Sequence, residues 1–158
     1  MIVKDIVNNK PLASKLLILL HGLLGLGAVA GGAVLIIDSS GGLIKMPITV
    51  LENSPFNSFL IPGLILFTVL GVFPLIIAIA LATKCQSKAA NVLNLFTDRH
   101  WSWTFSLYIG FALISWIAVQ LFYFKEAALI HIVYIFLGLI IQVVTLLPSV
   151  QRHYLKVD

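Results

Sequence analysis

The sequence predicts an all-α integral membrane protein, a four-helix bundle with both termini cytoplasmic and the second helix bent at proline. Three observations predict it. Four apolar runs are each long enough to cross a bilayer, for which about 20 residues suffice. Only 10% of the 158 residues are charged and 60% are hydrophobic, with a mean hydropathy of +1.07, whereas a soluble domain carries about 25% charged residues. The basic residues also alternate in side: Lys4, Lys10, Lys15, Lys84, Lys88, Arg99, Arg152 and Lys156 flank one end of the runs, and only Lys45 and Lys125 the other. Loops rich in Lys and Arg stay in the cytoplasm.

The expected spans are residues 16–37, 56–82, 101–124 and 127–147, with an outer loop at 38–55 and a cytoplasmic loop at 83–100. They use nearly the whole chain, so 1–158 reads as a single transmembrane domain without a soluble module.

Lys10 and Lys15 ahead of the first run resemble the start of a signal peptide, but the run continues to Ile37 and reads as a genuine span. Glycine at this density argues against a helix in water. In lipid the backbone must satisfy its own hydrogen bonds, and small residues become the face where helices approach. Gly25, the pair Gly27 and Gly31, and the pair Ala28 and Gly32 are the expected packing positions, and the other helices are expected to pack around this one.

Asp38-Ser39-Ser40-Gly41-Gly42 is a turn cluster, and residues 43–51 are expected on the membrane surface. Ser54-Pro55 reads as a helix start. Pro62 and Pro74 lie inside the second run, and each removes a backbone donor. A bend near Pro62-Gly63, a short interfacial helix before it and a milder kink at 71–74 are expected. Residues 89–96 read as a brief surface helix. The third span opens with Trp101 and Trp103 and closes with Tyr123 and Phe124, aromatic residues that favour both interfaces. Lys125-Glu126 is a tight turn, Pro148 ends the fourth span, and 151–158 is a tail.

Hydrophilic residues deep in the runs recur at helical spacing: His21, Gly25, Ala28 and Gly32; Thr68 and Gly71; Ser106, Gly110 and Gln120; His131, Gly138, Gln142 and Thr145. One face of each helix is therefore expected to meet the bundle. Depth divides this seam. His21, Ser106, Gln142 and Thr145 form an inner, structural group, held by interhelical bonds worth about 0.6 kcal/mol each. Gln120 and His131, with Trp116 as a wall and Asn57 and Ser58 above, form an outer group suited to a ligand, because pockets between bundle helices are ordinary binding sites.

Several chemistries are missing. No Asp, Glu, Lys or Arg lies inside a span, which removes the buried carboxylates that proton-coupled transporters use. There is no G-x-S-x-G or HExxH pattern. Cys85 is the single cysteine, so no dithiol chemistry is available, and an unmodified thiol at the membrane surface is expected. His21 and His131 sit toward opposite leaflets, which disfavours a shared haem, and His100 and His153 read as solvated. No cofactor, no metal and no nucleic-acid partner are expected.

The run Ser54-Pro55-Phe56-Asn57-Ser58-Phe59-Leu60-Ile61-Pro62-Gly63-Leu64, with Trp116 and Gln120 as a W-x-x-x-Q pair, resembles a family of small bacterial four-span integral membrane proteins with an SPFxx[FY]L[IV]PGL motif. That resemblance implies the fold and a bacterial inner (plasma) membrane location, and brings no activity with it. The expected function is non-enzymatic: binding of a small apolar or lipid-like ligand in the outer half of the bundle, or service as accessory subunit to a membrane protein partner. The alternative is a transporter or channel subunit working as a homo-oligomer.

Overall fold

The structure, a computed structural model, describes residues 10–124 and 128–156. It contains α1 (Leu12–Ile37), α2 (Leu60–Thr83), α3 (Lys88–Val92), α4 (Trp101–Phe124), α5 (Leu129–Leu146) and α6 (Pro148–His153), and no strand among the described residues. α1, α2, α4 and α5 are long and apolar enough to cross a membrane, the pattern of a multi-pass membrane protein in contact with lipid. The Lys125-Glu126 turn lies outside the described residues.

The four long helices form a ring. α1 lies along α2 and α4 along α5, while α2–α4 and α1–α5 contacts close the circle. α1 is thus one corner of the bundle and not its axis. Two sets of glycines set the close pairs. A Cβ on Gly32 would lie 2.6 Å from the Phe67 amide nitrogen, and one on Gly25 2.9 Å from the Gly71 carbonyl oxygen. Across the ring, a Cβ on either Gly110 or Gly138 would lie 3.3 Å from the other's carbonyl oxygen. Small residues let backbones meet where no side chain intervenes.

Helix limits depart from the apolar runs for local reasons. α1 begins after Pro11 and carries Lys15 on its exposed face. α2 begins at Leu60, later than the expected 56, and no interfacial helix precedes it. Ser54 instead folds the chain back, its hydroxyl donating to the Leu51 carbonyl (2.9 Å) and accepting from the Phe56 N–H (3.2 Å). Pro62 consequently falls in the first turn of α2, where a missing N–H costs nothing. The irregular stretch is Thr68–Val72, a π-helical turn directly before Phe73-Pro74. Thr68 faces outward and returns its hydroxyl to the Leu64 carbonyl at 2.7 Å.

The loop after α1 is built on Asp38, whose carboxylate accepts from the Ser40 N–H (3.1 Å), the Ser40 hydroxyl (2.5 Å) and the Leu43 N–H (2.7 Å). These bonds, the Ser40 hydroxyl foremost, hold its pKa below the usual carboxylate value. Gly41 adopts φ +82°, a left-handed conformation that only glycine takes without strain. The Phe59 N–H donates to the Ser39 carbonyl at 2.9 Å, and Phe59 and Leu51 are buried. Residues 43–51 form two 3-10 turns, Gly42–Ile44 and Ile48–Leu51, folded against the bundle.

The other end of the bundle, which holds both described termini, is closed by α6 and the segment after it. The His100 N–H donates to the Tyr154 carbonyl (2.8 Å) and the Lys156 N–H to the Asp98 carbonyl (2.9 Å). Pro148 ends α5 and starts α6 at its first position, so the expected tail is partly helical. Ser87 caps α3, which ends at Val92, short of the expected 96.

Candidate functional site

At the loop end the ring does not close. A cavity of about 310 Å³ lies between the helices. α1 contributes Leu24, Gly27, Ala28 and Gly31; α4 contributes Trp116 and Gln120; α5 contributes His131 and Tyr134. Ile44 and Met46 come from the loop after α1 and cover the cavity from above. Ile44, Met46 and His131 also border a shallower hollow under residues 44–50, so the loop forms the mouth.

The cavity exists because α1 presents small residues, Gly27, Ala28 and Gly31, where it faces α5. Gly27 and Gly31, expected as a packing pair, bring no helix close. A Cβ on Gly27 would meet the Tyr134 hydroxyl oxygen at 3.4 Å, and one on Gly31 the Leu66 Cδ2 at 3.5 Å, both ordinary contacts. Gly25, Ala28 and Gly32 are buried on the neighbouring face, and Gly25 and Gly32 make the close approach to α2.

The polar groups of the cavity are few. His131, in the first turn of α5, accepts the Ala128 N–H on Nδ1 at 3.1 Å, so it completes the helix start where the backbone leaves donors unpaired. Gln120 is half-buried one turn beyond Trp116. The Trp116 Nε1 is occluded in the wall with no hydrogen-bond partner among the described residues. Among the described residues no Asp, Glu, Lys or Arg lines the cavity. The arrangement can hold a neutral, mostly apolar molecule and offer it hydrogen bonds near one end.

Asn57 and Ser58 stand apart from this group. Asn57 is exposed in a surface depression beside Thr49 and Glu52, and the Ser58 hydroxyl accepts the Leu60 N–H at 3.4 Å at the start of α2. They were expected above the cavity because α2 was expected to start at 56. The later start turns them away. Tyr134, Leu24, Ile44 and Met46 are among the lining residues that the sequence did not single out. Tyr134 had a signal: it lies three residues after His131, on the same helix face.

The inner group does not form a network either. Ser106 donates to the Ser102 carbonyl (3.0 Å) and Thr145 to the Ile141 carbonyl (2.6 Å), each within its own helix. Short hydroxyl side chains reach the carbonyl four residues back more easily than a neighbouring helix. Gln142 packs on Gly110, with its Nε2 buried and unpartnered, and both ring nitrogens of the fully buried His21 lack a partner among the described residues. The bond that crosses helices there is longer-armed: Trp103 Nε1 donates to the Thr145 carbonyl at 2.8 Å.

His100, expected in solvent, is 4% exposed. Its Nδ1 accepts the Ser102 N–H (3.3 Å), and its Nε2 reaches the Cys85 carbonyl (3.1 Å), which also accepts from Trp101 Nε1 (2.8 Å). Burial lowers its pKa, and Lys84 and Lys156 add to the effect against the raising influence of the Cys85 carbonyl. Burial likewise lowers the pKa of half-buried His153, with Lys84 and Lys10 contributing. Tyr154 donates to the Leu81 carbonyl at 2.8 Å, and burial pushes its phenol up to about 12. Among the described residues no three His, Cys, Asp or Glu side chains come together as a metal site would require.

No family model, curated protein or solved structure matches the chain.

Proposed function

We propose that the protein is a non-enzymatic, multi-pass protein of the bacterial inner membrane, which binds a small apolar or lipid-like ligand in the outer half of its bundle. The observation that carries this reading is the 310 Å³ cavity bordered by Trp116, Gln120, His131 and Tyr134, a volume at the lower limit of ligand pockets, about 300 Å³. The excess of basic residues at the end opposite the cavity supports an outward-facing site with both termini cytoplasmic. The π-helical turn before Pro74 supports a kink in α2. Leu66 and Leu70, on either side of its start, line the cavity.

Native mass spectrometry of the unaltered protein is expected to find a co-purified lipid-sized adduct, and Gln120→Leu is expected to fold and lose it. Absence of any adduct in the unaltered protein leaves service as accessory subunit to a membrane partner as the remaining form of the proposal.

A transporter or channel subunit needs a polar path onward from the cavity. Leu24, Leu70 and Leu113 line the cavity and are each about 1% exposed, which supports binding over conduction. Flux of a small solute in proteoliposomes would reverse that preference.

A further inference from the structure

Resting on the binding reading above, we infer that the ligand is an uncharged amphiphile whose head carries a carbonyl acceptor, seated at the His131 end of the cavity with its hydrocarbon tail leaving between α1 and α5. Three observations lead there.

The first is the direction of hydrogen bonding. His131 Nδ1 accepts the Ala128 N–H, which assigns the ring proton to Nε2 and makes that nitrogen a donor. The Tyr134 hydroxyl stands at the Gly27 wall and has no acceptor among the described residues. Gln120 can donate through its amide. All three groups can donate and the His131 Nε2 can do nothing else, so the partner that every member of the polar corner can bond is an acceptor, which a carbonyl oxygen supplies.

The second is charge. Among the described residues the cavity itself is lined by no cationic side chain to offset a phosphate and no carboxylate to offset an amine, Lys45 standing outside it in the hollow at the mouth. Placing either ion against this apolar wall would leave it unpaired, at a cost far above that of a neutral head.

The third is shape. Gly27 and Ile130, on the α1 and α5 sides of the cavity, are exposed on the membrane-facing surface, so a tail can pass from the cavity straight into surrounding hydrocarbon. The volume suits a head and the first part of a tail, and an exit spares the ligand from fitting whole.

A quinone ring and the ester end of a diacylglycerol share this chemistry. The test uses the full chain, stripped by repeated exchange into an alkyl maltoside, a detergent without a carbonyl. Decylubiquinone is titrated by quenching of tryptophan fluorescence, and dioctanoylglycerol and decylbenzene are then used as competitors. At least one carbonyl probe is expected to bind about tenfold more tightly than decylbenzene, the product of two donor bonds at roughly threefold each. Whichever of the two carbonyl probes is tighter identifies the source. His131→Phe and Tyr134→Phe are each expected to reduce that preference about threefold while leaving decylbenzene affinity unchanged, and His131→Gln, which keeps a donor, to retain most of it. If His131→Phe does not fold, Tyr134→Phe carries the test alone. Equal affinity for all three probes overturns the carbonyl head and leaves the cavity as an apolar site. No saturable binding of any probe overturns both.

Discussion

The two ends of the bundle are made from similar material and finished in opposite ways. At the end with both described termini, Trp103 and Tyr154 are each 1% exposed, and their polar atoms donate to the backbone carbonyls of Thr145 and Leu81 on other helices. Asn94 ties the chain before α4 to the helix itself, donating to the Arg99 carbonyl (2.9 Å) and accepting from the Thr104 hydroxyl. The Arg99 guanidinium lies over the Trp103 ring at 4.5 Å. At the loop end, Trp116 is half-buried with an unpartnered N–H, and Gln120 and Tyr134 border open space. Aromatic and amide side chains therefore lock a helix end when a further segment folds back to meet them, as α6 does, and line a cavity when the cover is a loop standing over glycines.

Trp103→Ala should cost the most, about 3–5 kcal/mol, because it removes a filled aromatic site and a cross-helix bond. Trp116→Ala, beside a void with fewer contacts to lose, should cost about 1–2 kcal/mol. Thermal unfolding in detergent followed by circular dichroism compares them, and equal losses would break the distinction between the two ends.

The glycines sharpen it on one helix. Gly32→Ala pushes a methyl to 2.6 Å from the Phe67 nitrogen, an overpacking expected to cost about 1–3 kcal/mol. Gly31→Ala, one residue away, meets only Leu66 Cδ2 at 3.5 Å and should be neutral or stabilising by about 0.5 kcal/mol. Gly31→Leu should keep the fold and expel any adduct seen by native mass spectrometry.

Tyr154→Phe should cost about 1 kcal/mol, leaving the Leu81 carbonyl without its donor. The smallest effect is in pH. Burial holds the folded pKa of His100 below its ordinary 6.5, so below pH 6.5 the unfolded chain takes up a proton that the folded chain refuses. Stability should be full above that pH and fall as acid takes the protein down toward the folded pKa. His100→Gln should flatten the melting temperature between pH 7 and pH 5, and an unchanged slope would assign the loss to another group.

The four spans were legible because apolar length is a one-dimensional property, and so were most of the inward faces. The stripe His21, Gly25, Ala28 and Gly32 is buried throughout, as are Ser106, Gly110 and Leu113 on α4. Periodicity failed at Thr68, where an exposed hydroxyl satisfies itself on its own helix and needs no inward face. Placement by depth failed at Asn57 and Ser58, because whether Pro62 interrupts α2 or stands in its first turn depends on how Ser54 and Phe59 anchor the preceding chain.

What the sequence determined by itself is the number of helices long and apolar enough to cross a membrane and the inward direction of most of their polar side chains, both consequences of residue type and a 3.6-residue period. Only the tertiary structure decided which glycines touch a neighbour and which face empty space. Gly25 and Gly32 on one side of α1, and Gly27 and Gly31 on the other, are the same residue within the same eight-residue stretch. A residue without a side chain allows a close approach but cannot require one, and the difference lies in where α2 and α5 pass.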